Sequence, residues 1–211
     1  MTIIINKVWF GYPDNPVFAN LTTSIPASVV TAVVGENGCG KSTLLALIAG
    51  VLRPRHGTVD VGGAQVALAV QRSQVSDTFP ITVAEAVEMG RWRRLGLLRR
   101  RAHRDRDVVG YWISEFGLDG LGNRRLGDLS GGQRQRVLLA QAFAQEAPVM
   151  LLDEPTTGLD AAGAEVLDRQ LRRLTAVGTT IVVATHDTAL VTGVDHRIVL
   201  DQKGLAASDA G

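Results

Sequence analysis

Cysteine is nearly absent from this sequence of 211 residues, in which Cys39 is the only one. A single thiol excludes an internal disulfide and is compatible with a reducing compartment. An excess of either charge is also lacking, because 22 basic and 21 acidic residues leave a formal net charge of +1. Such a balance gives no global electrostatic attraction to nucleic acid, so we expect no nucleic-acid partner.

Long hydrophobic runs are lacking as well. Apolar stretches such as residues 149–152 and 137–140 fall far short of the roughly 20 residues that a membrane-spanning helix needs. Residues 1–5 lack the basic start and the longer apolar core of a signal peptide, so we expect a strand there and a cytoplasmic location. A share of 45% hydrophobic residues is typical of one ordinary globular domain.

Short apolar runs bounded by turn residues predict an α/β core. They lie at residues 2–8, 29–34, 66–70, 149–152 and 181–184. The last three runs are typical of strands that are buried on both faces of a parallel sheet.

Helical patterns separate these runs. We predict helices over residues 41–49, 131–145 and 161–177, and a further helix that Thr82 opens. The pattern is helical through most of the middle of the chain. We therefore predict a single domain over residues 1–211, with its core at about 1–75 and 147–211 and a helical subdomain at about 76–146.

A glycine-rich loop, GENGCGKST at residues 35–43, follows a predicted strand and precedes a predicted helix. It matches G-x-x-x-x-G-K-[ST] in the context that this phosphate-binding motif requires. Backbone N–H groups there face a phosphate chain, Lys41 reaches the β- and γ-phosphates, and Ser42 coordinates Mg²⁺. The expected nucleotide-binding residues are Gly35, Asn37, Gly38, Cys39, Gly40, Lys41, Ser42 and Thr43. For Cys39, simple occupation of the loop and a redox role of its thiol are both open.

Two acidic residues, Asp153 and Glu154, stand at the carboxyl end of the apolar run 149–152, where ligands of open α/β sheets bind. With the phosphate loop present, we expect Asp153 to hold Mg²⁺ and Glu154 to orient or deprotonate the attacking water. Taken alone, the pair is also compatible with a solvated strand end before Pro155.

The sequence LSGGQRQR at residues 129–136 resembles the signature of ATP-binding cassette (ABC) proteins. Ser130 with the amides of Gly131 and Gly132 makes a helix N-terminus that suits an anion, and the family motif adds Gln133. The resemblance implies a P-loop NTPase core with a parallel sheet, an N-terminal antiparallel β subdomain and an inserted helical signature subdomain. It also implies ATP and Mg²⁺ as cofactors. In this family two subunits join head to tail, and the signature of one closes over ATP held by the phosphate loop of the other.

Further positions match the family in order along the chain. Tyr12 resembles the residue that stacks on adenine, although a packed aromatic in a turn explains it too. Asp160 and His186 match the D-loop and the switch histidine, which hydrogen-bonds the γ-phosphate. The catalytic residues that the resemblance implies are Lys41, Glu154 and His186.

Gln71 resembles the glutamine that joins the metal site to the helical subdomain. Val70 stands where the family often has proline, so the register stays open between Gln71 and Gln74. With this residue, the expected metal-binding set is Ser42, Gln71 and Asp153.

The resemblance implies an ATP-hydrolysing subunit on the inner face of the cell membrane. Its partners would be a second ATPase subunit, transmembrane permease subunits and, indirectly, an extracytoplasmic substrate-binding protein. Residues 76–83 and 89–92 resemble the same stretch of zinc and manganese importers, which favours uptake of such an ion. Siderophore and cobalamin importers have a similar Gly-Arg-aromatic segment. A non-transport ABC regulatory protein is a third alternative.

The run RWRRLGLLRRR at residues 91–101 is strongly basic with interleaved apolar residues. It is either a solvated basic face or a surface that meets lipid headgroups or the membrane partner.

Overall fold

The computed structural model describes residues 1–13, 15–69, 80–92, 103–187, 190–191, 193–201 and 206–210, the last range by its backbone alone. The chain divides into two compact units. The first comprises Met1–Leu68, Pro148–Glu154 and Gln170–Gly211, and the second comprises Ala69–Ala147 and Pro155–Arg169. The boundaries expected near residues 76 and 146 stay a prediction.

An antiparallel sheet in the first unit begins the chain. Strand β1 (Ile3–Tyr12) pairs with β2 (Asn15–Ile25) on one side and with β4 (His56–Asp60) on the other. Side chains alternate between the two faces of a strand, and β1 accordingly buries Ile3 and Ile5 completely while Ile4 is half exposed. The expected N-terminal antiparallel subdomain is confirmed.

A second sheet contains, among the described residues, six strands in the order β5-β6-β7-β3-β8-β9. These are β3 (Val30–Val34), β5 (Val66–Ala69), β6 (Val149–Asp153), β7 (Thr180–Ala184), β8 (His196–Leu200) and β9 (Ala206–Ala210). The neighbours from β6 to β8 run parallel, whereas β9 is antiparallel to β8. All five residues of β7 are buried, as expected for a strand covered on both faces. The predicted parallel sheet is thereby confirmed.

Helix α1 (Lys41–Ile48) lies in the first unit and follows the glycine-rich loop. Helices α2 (Val83–Met89), α3 (His103–Glu115) and α4 (Gly131–Phe143) belong to the second unit, with a 3₁₀ turn at Leu126–Asp128. Helix α5 (Ala161–Ala176) precedes β7. None of the helices in the described ranges has both the length and the apolar character that a bilayer crossing requires.

Aromatic packing forms the core of the second unit. The ring centroid of Phe143 lies 5.0 Å from that of Trp112 and 5.2 Å from that of Phe116. All three side chains are buried. Helices α3 and α4 are therefore held together by apolar contacts near their carboxyl ends.

Arg91 is buried in the same unit. Its Nε lies 3.1 Å from Asp105 Oδ1, and its Nη1 lies 2.8 Å from both Glu146 Oε2 and the carbonyl oxygen of Ala144. Both interpretations of the basic run, a solvated face and a surface that meets headgroups or the membrane partner, are wrong for Arg91, because this residue is buried and its charge is neutralised inside the unit. Trp92 is exposed, and the rest of the run lies outside the described residues.

Candidate functional site

The glycine-rich loop encloses the ammonium group of Lys41. This side chain is buried, and its Nζ donates to the carbonyl oxygens of Gly35 at 2.8 Å and Glu36 at 3.1 Å. An ammonium group has three donors, so these bonds fix its direction and leave a third N–H that they do not use. The positive charge is thereby held at the N-terminus of α1, where the helix dipole also favours an anion.

Gly40 joins the loop to α1 in a conformation that other residues rarely adopt. Its φ is 104°, and its carbonyl oxygen accepts a helical hydrogen bond from Leu44 N at 2.8 Å. A Cβ atom at this position would lie 2.7 Å from Val17 Cγ1 and 2.9 Å from Phe18 Cζ. The loop therefore rests directly on β2, and a side chain at position 40 would displace it.

The thiol of Cys39 is buried in the loop. Its Sγ would lie 2.6 Å from a Cβ atom placed on Gly35. Buried thiols are poorly accessible to oxidants, so the structure favours packing over a redox role at this position.

Asp153 ends β6 and makes a side-chain hydrogen bond with Ser42, the second residue of α1. Burial raises the pKa of Asp153 above its ordinary value. The Ser42 hydrogen bond opposes this rise, the charge of Glu154 adds to it, and the charge of Lys41 opposes it. A nearby cation would stabilise the ionised form of this carboxylate.

The oxygen atoms of Ser42 and Asp153 fit Mg²⁺. This ion prefers oxygen ligands and is usually held by one or two carboxylates together with substrate phosphates. Within the described ranges, no group of three or more His, Cys, Asp or Glu side chains is placed to hold a metal by itself. Gln71 and Gln74 lie outside the described residues.

Glu154 and His186 contact each other at the ends of neighbouring strands. Glu154 Oε2 lies 2.9 Å from His186 Nδ1, and this oxygen makes no hydrogen bond in the described part of the chain. The two groups are therefore close without a formed hydrogen bond, and they become an ion pair when the imidazole is protonated. The Glu154 side chain is 10% exposed and that of His186 is 71% exposed, so a buried carboxylate meets an accessible imidazole.

The backbone of Glu154 is strained. Its φ is 48°, in the left-handed region that non-glycine residues enter at a cost of about 1–3 kcal/mol. The amide of Glu154 donates to the carbonyl oxygen of Ala184 at 2.8 Å, which ties this turn to β7. Such strain is common where a side chain must be held in one direction.

Tyr12 lies at the end of β1 beside α1. Its hydroxyl is 3.5 Å from Thr43 Oγ1, and its ring packs edge to face on Phe10, with centroids 5.3 Å apart. A cavity of about 430 Å³ adjoins the ring and is lined by residues that include Trp9, Phe18, Arg55 and His56. The side chain is nearly half exposed, so one face is accessible to a planar ligand.

Ser130 caps helix α4. Its hydroxyl accepts a hydrogen bond from Gln133 N at 3.3 Å, and Gln133 Oε1 accepts one from Ser130 N at 3.1 Å. This capping box fixes the start of the helix. The amides of Gly131 and Gly132 are first-turn donors that the helix itself does not use, as an anion site requires.

Asp160 precedes α5 and is held by two donors. Its Oδ1 accepts a hydrogen bond from Gly163 N at 3.0 Å and pairs with Arg136 Nη2. The Arg136 hydrogen bond foremost, and then the Gly163 amide, hold the pKa of Asp160 below its ordinary value. The sequence does not reveal that Arg136 pairs with Asp160, because nothing in the helical pattern identifies the partner of this arginine.

The expected site residues fall into two groups. Lys41, Ser42, Asp153, Glu154 and His186 gather at the carboxyl edge of the parallel sheet in the first unit. The signature residues and Asp160 belong to the second unit. The individual roles of these residues stay predictions.

A phosphate loop between β3 and α1, with acidic residues where β6 ends, defines the class of P-loop nucleotide-binding proteins. The family model described as ABC transporter matches residues 18–157. The chain belongs to the ABC transporter family, and it is an ATP hydrolase.

Curated relatives resemble almost the whole chain. The manganese transport system ATP-binding protein MntA of Synechocystis is 39% identical, over 89% of this chain and 76% of MntA. The zinc transport system ATP-binding protein TroB of Treponema pallidum is 36% identical, over 93% and 76%. The achromobactin transport ATP-binding protein CbrD of Dickeya dadantii is 36% identical, over 100% and 83%.

Solved structures share the fold. An inward-facing ABC transporter assigned to the metal-chelate type is 31% identical, with a TM-score of 0.85 over 99% of this chain and 83% of that one. The dimeric bacterial ABC transporter cassette MJ0796 has a TM-score of 0.88 at 24% identity, over 99% and 98%. The second likeness concerns the fold alone.

Proposed function

We propose that this chain is the ATPase subunit of a metal-ion importer, in which hydrolysis at the edge of the parallel sheet powers uptake. The observation that carries the catalytic assignment is the buried carboxylate of Glu154, 2.9 Å from His186 Nδ1, next to the Asp153 and Ser42 pair. These groups supply a base, an orienting imidazole and oxygen ligands at one place.

Lys41 binds the β- and γ-phosphates with the donor that its loop contacts leave, and the loop amides enclose the same chain of phosphates. Tyr12 stacks on the adenine ring beside Thr43. Ser42, Asp153 and Gln71 would hold Mg²⁺, which would supply positive charge that neutralises the phosphates. Binding thus relies on fixed positive charge and backbone donors.

Glu154 accepts a proton from the attacking water, whose oxygen forms a bond to the γ-phosphorus while the bond to the β–γ bridging oxygen breaks. The products are ADP and inorganic phosphate. His186 orients the carboxylate through Nδ1 and donates from its other nitrogen to the γ-phosphate. The strained turn at Glu154 holds the base in one direction.

Two phosphate-binding elements in one chain support a dimer. The phosphate loop and the amides of Gly131 and Gly132 both suit an anion, yet they belong to different units of the chain. A second copy arranged head to tail would bring each signature, with Gln133 and Asp160, to the other copy's ATP. The dimeric cassette MJ0796 has the same fold.

The proposed partners are transmembrane permease subunits, with an extracytoplasmic substrate-binding protein acting indirectly, and the chain would be peripheral on the inner face of the membrane. The similarity to MntA and TroB supports manganese or zinc as cargo. The similarity to CbrD supports a siderophore importer as the second candidate.

The test uses purified chain with Mg²⁺ and ATP. Glu154→Gln is expected to retain ATP binding, lose hydrolysis by about 10²-fold or more and accumulate as a dimer. Lys41→Ala is the matched control and is expected to lose most nucleotide binding. Hydrolysis by Glu154→Gln at the wild-type rate would refute the catalytic assignment.

Cargo is tested separately, in vesicles that contain the chain with its permease and binding protein. We expect ATP-dependent uptake of radioactive manganese or zinc that the Glu154→Gln chain abolishes. Uptake of a ferric siderophore and of neither free ion would establish the second candidate instead.

A further inference from the structure

Helix α4 holds both ends of the loop at residues 155–160. At the start of the loop, Gln135 Nε2 donates to the carbonyl oxygen of Pro155 at 3.2 Å, and Gln135 is buried. At the end of the loop, Arg136 pairs with Asp160. Two adjacent residues of one helix therefore contact the first and last residues of this loop.

The middle of the loop also rests on the helix. A Cβ atom at Gly132 would lie 2.7 Å from the carbonyl oxygen of Gly158, so only glycine permits this approach. Gly132 belongs to the first turn of α4, two residues after the capping residue Ser130. The part of the helix that offers amides to an anion is thus in contact with the loop.

The loop begins at the residue that follows Glu154 in the chain. The backbone of Glu154 is in the left-handed region, with φ at 48°, and such a conformation persists only where the surroundings enforce it. On the amino side, the Glu154 amide is bonded to the Ala184 carbonyl oxygen. On the carboxyl side, the carbonyl oxygen of Pro155 accepts a hydrogen bond from Gln135.

The contact between Arg136 and Asp160 contributes little to stability, because the Asp160 side chain is 63% exposed. Arg136 nevertheless places its Nε in a buried position where the described part of the chain offers no hydrogen-bond partner. A buried donor without a partner carries a desolvation cost. The contact between Arg136 and Asp160 is therefore explained by the position in which it holds the loop, and not by a gain in folding stability.

We propose that Gln135 and Arg136 are positioning residues for ATP hydrolysis. Their contacts hold the loop at residues 155–160 against helix α4, which carries the signature. This inference rests on the proposed roles of Glu154 and of the Ser130 helix terminus. When a phosphate group binds at the start of α4, the helix and the loop move as one body, and Glu154 of the same chain is reoriented. In a head-to-tail dimer, phosphate binding at the signature of one chain therefore changes the position of Glu154 in that same chain.

The test compares single and double variants. Arg136→Gln and Asp160→Asn each remove the ion pair, while asparagine can still cap α5. Each is expected to lower kcat about tenfold with Tm within error of the wild type. In Arg136→Gln the KM for ATP is expected to stay within error as well, and Arg136→Lys is expected to restore part of the rate. The double variant is expected to be no slower than either single variant, because both changes break one contact.

The matched control is Arg169→Gln, which removes another exposed arginine, 3.9 Å from Glu115, without touching the loop. Its kcat is expected to equal that of the wild type. Rate losses that multiply in the double variant, or that accompany an equal fall in Tm, would overturn the inference.

Amide hydrogen exchange at residues 155–160 gives a readout that does not depend on hydrolysis. We expect faster exchange in Arg136→Gln and in Gln135→Leu than in Arg169→Gln. Unchanged exchange would show that Gln135 and Arg136 do not hold the loop at residues 155–160, even if Glu154→Gln behaves as proposed. Faster exchange together with full hydrolysis by Glu154→Gln would instead place the failure in the proposed role of Glu154.

Discussion

The imidazole of His186 lies 2.9 Å from the carboxylate of Glu154, Nδ1 to Oε2. The contact follows from the parallel pairing of β6 with β7, which places Asp153 opposite Ala184, so the residues that follow leave the sheet side by side. Because the histidine is mostly exposed and the carboxylate is buried, the imidazole is the member of the pair that can change its position.

Replacement of His186 by alanine removes this contact. We expect His186→Ala to lower kcat by about 10²-fold, since general acid–base groups contribute rates of that order when correctly held. Binding of ATP, measured by equilibrium titration, is expected to change little. The matched control is His103→Ala, which removes an exposed histidine from α3. Equal rates in the two variants would contradict the role of His186.

Motifs predicted the groups that are contiguous in sequence, and apolar runs predicted the strands that are buried on both faces. Strands β2 and β4 were not predicted, because one face of their sheet is solvated and its residues are mostly polar. The burial of Arg91 was not predictable either. Its partners Asp105 and Glu146 lie far along the chain, and only packing brings them together.

Asp153 and Ser42 are expected to determine the affinity for Mg²⁺. Asp153→Asn keeps the shape of the side chain and removes its charge, so the Mg²⁺ concentration for half-maximal hydrolysis should rise about tenfold or more. ATP binding in the presence of a chelator is expected to be retained. An unchanged Mg²⁺ titration would exclude Asp153 as a ligand.

Arg91 is expected to stabilise the second unit. Arg91→Met keeps most of the volume but removes the positive charge that Asp105 and Glu146 contact, and breaking a buried pair costs about 3–5 kcal/mol of unfolding free energy. Urea denaturation measures this loss. Addition of Asp105→Asn to Arg91→Met should recover part of it.

The control for this prediction is Trp92→Ala, because Trp92 is 59% exposed. Exposed substitutions of this kind change the unfolding free energy by about 0.5 kcal/mol or less. A larger loss in Trp92→Ala than in Arg91→Met would show that the stability of this segment comes from the aromatic side chain rather than from the buried arginine.

His196 gives the fold a dependence on pH. Burial in β8, opposite Thr31 of β3, lowers the pKa of His196 below its ordinary value of 6.5. Below pH 6.5 the unfolded chain therefore binds a proton that the folded chain does not, so stability falls as pH decreases through this range and is retained above it. The slope for one proton is at most about 1.4 kcal/mol per pH unit. We expect His196→Asn, compared with wild type by urea denaturation between pH 8 and pH 5, to have a shallower loss of unfolding free energy below pH 6.5. Parallel curves for the two proteins would contradict a buried neutral imidazole at this position.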